Sequence, residues 1–131
     1  LHRVDRRQRQ MCIRDSYHPP FAEARGFREP VAHGLLTASL VTEIGGQIGW
    51  LASAMSFQFR RPVYAGDTVT CRWLITEVDA RGRATAVITL SNEDGVIVLE
   101  GETRGVLPGE QERQLLSQML AEGDPGNPLA R

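Results

Sequence analysis

Lysine is absent from this chain, and all fifteen basic residues are arginine, a bias of coding rather than of chemistry. Cysteine is almost absent too. Cys12 and Cys71 stand far apart, match no metal-ligand spacing and are joined by only three histidines, which argues against a zinc site and against a disulfide framework. Unpaired thiols fit a reducing cytoplasm. No apolar run approaches the roughly 20 residues needed to span a bilayer, and the N-terminus lacks the apolar stretch of a secretory signal, so a soluble intracellular product is expected. A formal net charge of -1 favours neither a nucleic-acid partner nor a membrane surface.

The 131 residues are enough for one domain with a core of its own. Their composition breaks sharply near residue 16. Residues 1–16 hold five arginines, two aspartates and two glutamines without helical or strand periodicity, whereas the rest alternates apolar segments with turn signals. A disordered basic arm is one reading. A nucleic-acid-binding tail is another, weakened by the lack of interleaved aromatic residues. The preferred reading is a third: Met11-Cys12-Ile13-Arg14-Asp15-Ser16, preceded by Arg7-Gln8-Arg9-Gln10, resembles a translated sequencing adapter. Fold reasoning then starts at Tyr17 and treats residues 1–16 as non-native and unstructured.

Pro20 to Gly26 is expected to form a short helix begun by prolines, followed by a loop at Gly26 and Pro30. From Leu35 to about Trp50, apolar residues at Leu36, Leu40, Ile44 and Ile48 predict a helix broad enough in its apolar surface to be buried. Its start has no Ser, Asp or Asn cap, only His33-Gly34, so its first amides are expected to be free for water or a ligand. Four strand-like segments follow, Ala54 to Val63, Thr68 to Val78, Ala84 to Ser91 and Val96 to Val106. Turns at 64–67, 79–82 and 92–95 are short enough for antiparallel hairpins, giving a four-stranded meander. One long helix and such a sheet pack as an α+β hot-dog fold, the curled antiparallel sheet wrapping a central helix over residues 17–108. Its open edges predict a homodimer. Residues 109–131 read as a short amphipathic helix, Glu110 to Leu120, and a flexible tail.

Phe21-Ala22, Gly26-Phe27, Pro30-Val31-Ala32-His33-Gly34-Leu35-Leu36, Phe59-Arg60-Arg61-Pro62-Val63 and Gly66-Asp67-Thr68-Val69 together resemble the MaoC-like hydratase family, in its order and spacing, from about Tyr17 to Leu107. The resemblance implies reversible hydration of a trans-2-enoyl-CoA to an (R)-3-hydroxyacyl-CoA, without a cofactor or metal, on an acyl-CoA thioester substrate. It also implies an Asp and a His five residues apart that activate water and move the proton, and backbone N–H groups that stabilise the enolate oxygen.

Gly34 falls at the family's oxyanion position, and His33 beside it is read as a structural residue orienting the helix start. The glycine is also explicable as a residue needed only for the turn into the helix. The family's catalytic His falls at Ser16, eighteen residues before Gly34, and its Asp at Met11. Neither side chain can do that chemistry, which implies a dyad lost from an N-terminally truncated domain. Asp15 and His18 are weak stand-ins with the wrong spacing, and His18 reads as a surface or loop residue. Arg60 and Arg61 invite a role on CoA phosphates, but strand alternation sends them to opposite faces, so a solvated strand end is preferred. Two other functions stay open. In a hot-dog acyl-CoA thioesterase, Glu43 would activate water, although a solvent-facing or arginine-paired carboxylate explains it equally well. A non-catalytic acyl-CoA-binding domain is the other.

Overall fold

The computed structural model describes residues 18–123. Short helix α1 (Pro19–Ala24) and long helix α2 (Gly34–Ile48) precede strands β1 (Leu51–Phe59), β2 (Thr70–Val78), β3 (Arg83–Ser91) and β4 (Ile97–Val106). Helix α3 (Glu110–Glu122) follows. The four strands form one antiparallel sheet in the order β1-β4-β3-β2.

Two hairpin turns fold as their residues dictate. Asp79 accepts through one carboxylate oxygen from the N–H groups of Arg81 (2.8 Å) and Arg83 (2.9 Å), closing β2 onto β3. Asn92 does the same for Asp94 and Val96, both at 3.0 Å, closing β3 onto β4. The expected third hairpin is not one. β1 pairs with β4 at the far side of the sheet from β2, so the chain between Phe59 and Thr70 crosses from one edge to the other. The core dictates this order. β3 buries Ala84, Ala86, Ile88 and Leu90 at every second position and β4 buries Val98, Leu99 and Thr103, so these strands take the centre and β1 and β2 the edges.

β1 also begins and ends earlier than its residues suggest. Its first half, Leu51-Ala52-Ser53-Ala54, has modest strand propensity but is held by pairing with β4, a case of tertiary context overriding local preference. At its end the N–H groups of Arg60 and Arg61 both turn to the Val98 carbonyl, at 2.8 and 3.3 Å, and Pro62 has no N–H to continue the ladder.

Helix α2 is less buried than its apolar breadth predicts. Thr37, Ala38, Val41 and Gly45 are its buried residues, whereas Leu36, in the predicted core column, is 66% exposed and Leu35 similarly so. Small side chains let the helix sit close to the sheet, and this puts Ala38 and Val41 against Ile88, Leu90, Val98 and Leu99. The sheet therefore covers one face of α2 within the protomer. Leu40 and Ile48 lie at the margins of that contact.

A second cluster, Trp50 with Ala84 and Ala86, closes the other end. The Trp50 and Trp73 rings meet edge to face at 5.3 Å. The Trp50 indole N–H donates to Thr103 Oγ1 at 3.2 Å, and that hydroxyl donates to the Ala54 carbonyl at 3.1 Å, so these two groups are satisfied in series, whereas the Trp73 indole N–H is buried without a hydrogen-bond partner among the described residues. Gly105 makes room for this ring, since a Cβ there would lie 2.5 Å from the indole nitrogen. Helix α3 buries no residue and leaves Leu115 and Met119 exposed. No helix among the described residues is long and apolar enough to cross a membrane.

Candidate active site

The N-terminus of α2 opens on a cavity of about 500 Å³ lined by Phe27, His33, Gly34, Phe59, Arg61 and Val98 among others. Its wall is predominantly apolar side chain, which suits an acyl chain better than a polar metabolite. Gly34 is part of this lining. Its N–H has no hydrogen-bond partner among the described residues, and no acidic side chain stands in the first turn to neutralise the helix end.

Contrary to the uncapped start expected from the sequence, the helix start is partly capped. His33 Nδ1 accepts from the Leu35 N–H at 3.3 Å, so an imidazole does the work of the missing Ser or Asp. The Leu36 and Thr37 amides turn to the His33 carbonyl. One donor, the Gly34 N–H, is left without a partner among the described residues. This geometry gives His33 a capping role. Gly34 has its own local reason to lack a side chain, because a Cβ would lie 2.9 Å from the Phe59 ring. A side chain there would require the half-exposed Phe59 ring to shift, and that ring lies beside Gly34.

Two strips of chain form the cavity wall and are zipped together. Val31 bridges to Tyr64, and the Ala32 N–H donates to the Val63 carbonyl at 2.6 Å. Asp67 closes the loop beyond them by accepting from the Tyr64 N–H at 2.9 Å. Arg60 and Arg61 both reach the rim. The alternation that would separate them ends with β1 at Phe59, so the expected placement on opposite faces does not hold. Arg60 is engaged with Glu100 at 2.9 Å, on an exposed surface where such a pair contributes little stability.

The other candidates lie apart. His18 caps α1, its Nδ1 accepting from the Phe21 N–H at 3.2 Å, and it does not line the cavity. Glu43 is exposed on α2, nine residues beyond Gly34, or roughly 13 Å along the axis, and is absent from the lining. Met11, Asp15 and Ser16 fall outside the described residues. Among the described residues no group of three His, Cys, Asp or Glu side chains could hold a metal. Phe59, Arg28, Tyr64 and Asp67 had no role assigned from sequence, and only an aromatic residue and an Asp within otherwise motif-like segments hinted at them.

A sequence profile described as MaoC like domain matches residues 17–96. An (R)-specific enoyl-CoA hydratase of Aeromonas caviae is 32% identical over 95 residues, covering 69% of this chain and 71% of its own length. A 3-hydroxybutyryl-CoA dehydratase of Methylorubrum extorquens is 32% identical over 108 residues, covering 79% and 68%. Along the curated relatives it matches, the chain spans 64% to 71% of their length. Among solved structures, the (R)-hydratase of A. caviae involved in PHA biosynthesis superposes with a TM-score of 0.66 at 30% identity, over 72% of this chain and 76% of that one. An R-hydratase of Pseudomonas aeruginosa, at 24% identity and a TM-score of 0.67, shares the fold. The helix-capped cavity, the profile match over most of the described residues and these relatives agree, and the chain belongs to the MaoC-like domain family, with its hot-dog fold.

Proposed function

We propose that this chain binds an acyl-CoA thioester with its carbonyl on the Gly34 N–H and its acyl chain in the adjoining cavity, as a MaoC-like enoyl-CoA hydratase site. The observation that carries the proposal is the unpartnered Gly34 amide at the start of α2, beside an apolar cavity. A helix N-terminus stabilises the negative charge that develops on an enolate oxygen, and a donor fixed by the fold needs no reorganisation when that charge appears. Reversible hydration of a trans-2-enoyl-CoA to the (R)-3-hydroxy product also requires a group to activate water and one to protonate the α-carbon. The family's pattern puts these at Met11 and Ser16, whose side chains do neither.

The chain therefore acts as a thioester-binding MaoC-like domain, and turnover belongs to a form carrying an Asp and a His five residues apart at those positions. An acyl-CoA substrate would suit a role in fatty-acyl metabolism, the free Cys71 thiol suits the cytoplasm, and the edge position of β1 suits a homodimer.

Calorimetric titration with a saturated acyl-CoA, beside an enoyl-CoA assay, tests this reading. Binding is expected. Loss of enoyl absorbance without free thiol marks hydration, whereas release of free CoA would point to a thioesterase. Absence of binding sinks the proposal. Reading the gene upstream of the Tyr17 codon tests the dyad directly: an Asp and a His at the family spacing support hydratase turnover, and their absence refutes it.

A further inference from the structure

Residues 28–33 lie outside both core clusters and are joined to the strip at 62–67, whose Val63 packs against the core, by the Val31–Tyr64 bridge and the Ala32–Val63 hydrogen bond. Three side chains meet at this seam. The Arg28 guanidinium lies over the Tyr64 ring, 4.2 Å from its centroid, within the range of a cation–π contact. Its Nη2 is 3.6 Å from Asp67 Oδ1, and its Nε is 3.8 Å from its chain neighbour Glu29. Asp67 in turn accepts from the Tyr64 N–H at 2.9 Å and returns its own N–H to the Tyr64 carbonyl at 3.1 Å.

We propose that Arg28, Tyr64 and Asp67 form a latch that positions the Gly34 amide and the cavity wall for the acyl thioester. The inference rests on the thioester site proposed above and adds positioning residues to it. Both sides of the seam contribute to the wall, Val31 and Ala32 from one and Pro62 and Val63 from the other, so a change in their spacing changes the cavity itself. The charges are distributed as a latch requires. Asp67 is 13% exposed and built into its turn, whereas Arg28 is 65% exposed and reaches over from the opposite strip. Removing Arg28 uncovers no core residue, so its loss should loosen the seam without unfolding the domain. A lysine there keeps a cation near Asp67 but not the planar guanidinium that stacks on the ring.

Hydrogen exchange and binding on the full chain test the latch. In Arg28→Ala, the Ala32 and Leu35 amides, bonded across the seam and to His33, should exchange faster than in the wild type, while β3 and β4 amides keep their rates. Affinity for butyryl-CoA should fall about tenfold, and Arg28→Lys should recover part of it. Asp67→Asn, which keeps an acceptor for Tyr64 but removes the charge, should resemble Arg28→Ala. Wild-type exchange at Ala32 and Leu35 in Arg28→Ala overturns the latch. So does a uniform rise in exchange across the sheet, which marks a merely structural residue, or unchanged butyryl-CoA affinity. If the wild type fails to bind butyryl-CoA, the thioester reading falls, and the exchange rates at the seam alone then decide whether the latch exists.

Discussion

Gly34 leaves its N–H without a partner among the described residues, and its missing Cβ lets the Phe59 ring lie close against it. Gly34→Ala is expected to lower stability by about 1 kcal/mol at most, because the half-exposed Phe59 ring can shift, and to weaken acyl-CoA binding, because the displaced ring moves into the cavity region. Adding Phe59→Ala should restore the melting temperature, and a double variant as unstable as Gly34→Ala would show that the clash is not the cause. His33 can be tested apart from any proton transfer. His33→Ala should cost about 1 kcal/mol through loss of the Leu35 cap, while His33→Asn, a good capping residue, should recover most of it in a denaturant titration. Recovery of stability without a change in the binding pH profile would separate capping from acid–base work.

At the scale of elements, α2 shows how far an apolar pattern can mislead about burial. The pattern located the helix within two residues at each end, yet the sheet chose the small residues Ala38, Val41 and Gly45 and left Leu36 outside. Ile88→Ala, opposite that contact and fully buried, should cost about 2–5 kcal/mol. Leu36→Ala should stay within about 0.5 kcal/mol in a dilute protomer. Thermal melts of the two variants decide which face is packed. Strand β2 carries the half-buried Cys71, whose thiol is pushed up from its ordinary value by burial, with the nearby Trp73 side chain opposing the shift. The denatured chain therefore loses this proton before the native one. Its contribution to stability is fully present below the ordinary thiol range and is lost as pH rises through the raised native value. Alkylation of Cys71, followed by peptide mass spectrometry, should be slower in the folded chain than in urea at the same pH. Equal rates would contradict the shift.

Among the described residues the sheet has β1 and β2 as its edge strands, and α2 is covered by the sheet on one side. β1 is exposed along most of its length and carries Leu51, Met55 and Phe59, so pairing with a second copy would cover both backbone and apolar side chains. Sedimentation at micromolar concentration should give a dimer for the wild type, shifted to monomer by Met55→Lys. A wild-type monomer would refute β1 as the pairing edge.

Much of this arrangement is local chemistry written directly in the chain. The Asp79 and Asn92 turns, the span of α2, and the position of His33-Gly34 at its start follow from hydrogen bonds and periodicities among near neighbours, and those features were legible. The strand order was not, because the Tyr64 to Asp67 turn looks like a hairpin until the burial of β3 and β4 forces β1 and β2 to opposite edges. The same holds for the site. A free amide was legible at Gly34, but the Phe59 ring beside it and the Arg28–Tyr64–Asp67 seam join residues 25 to 39 positions apart, and only packing in three dimensions selects such pairs.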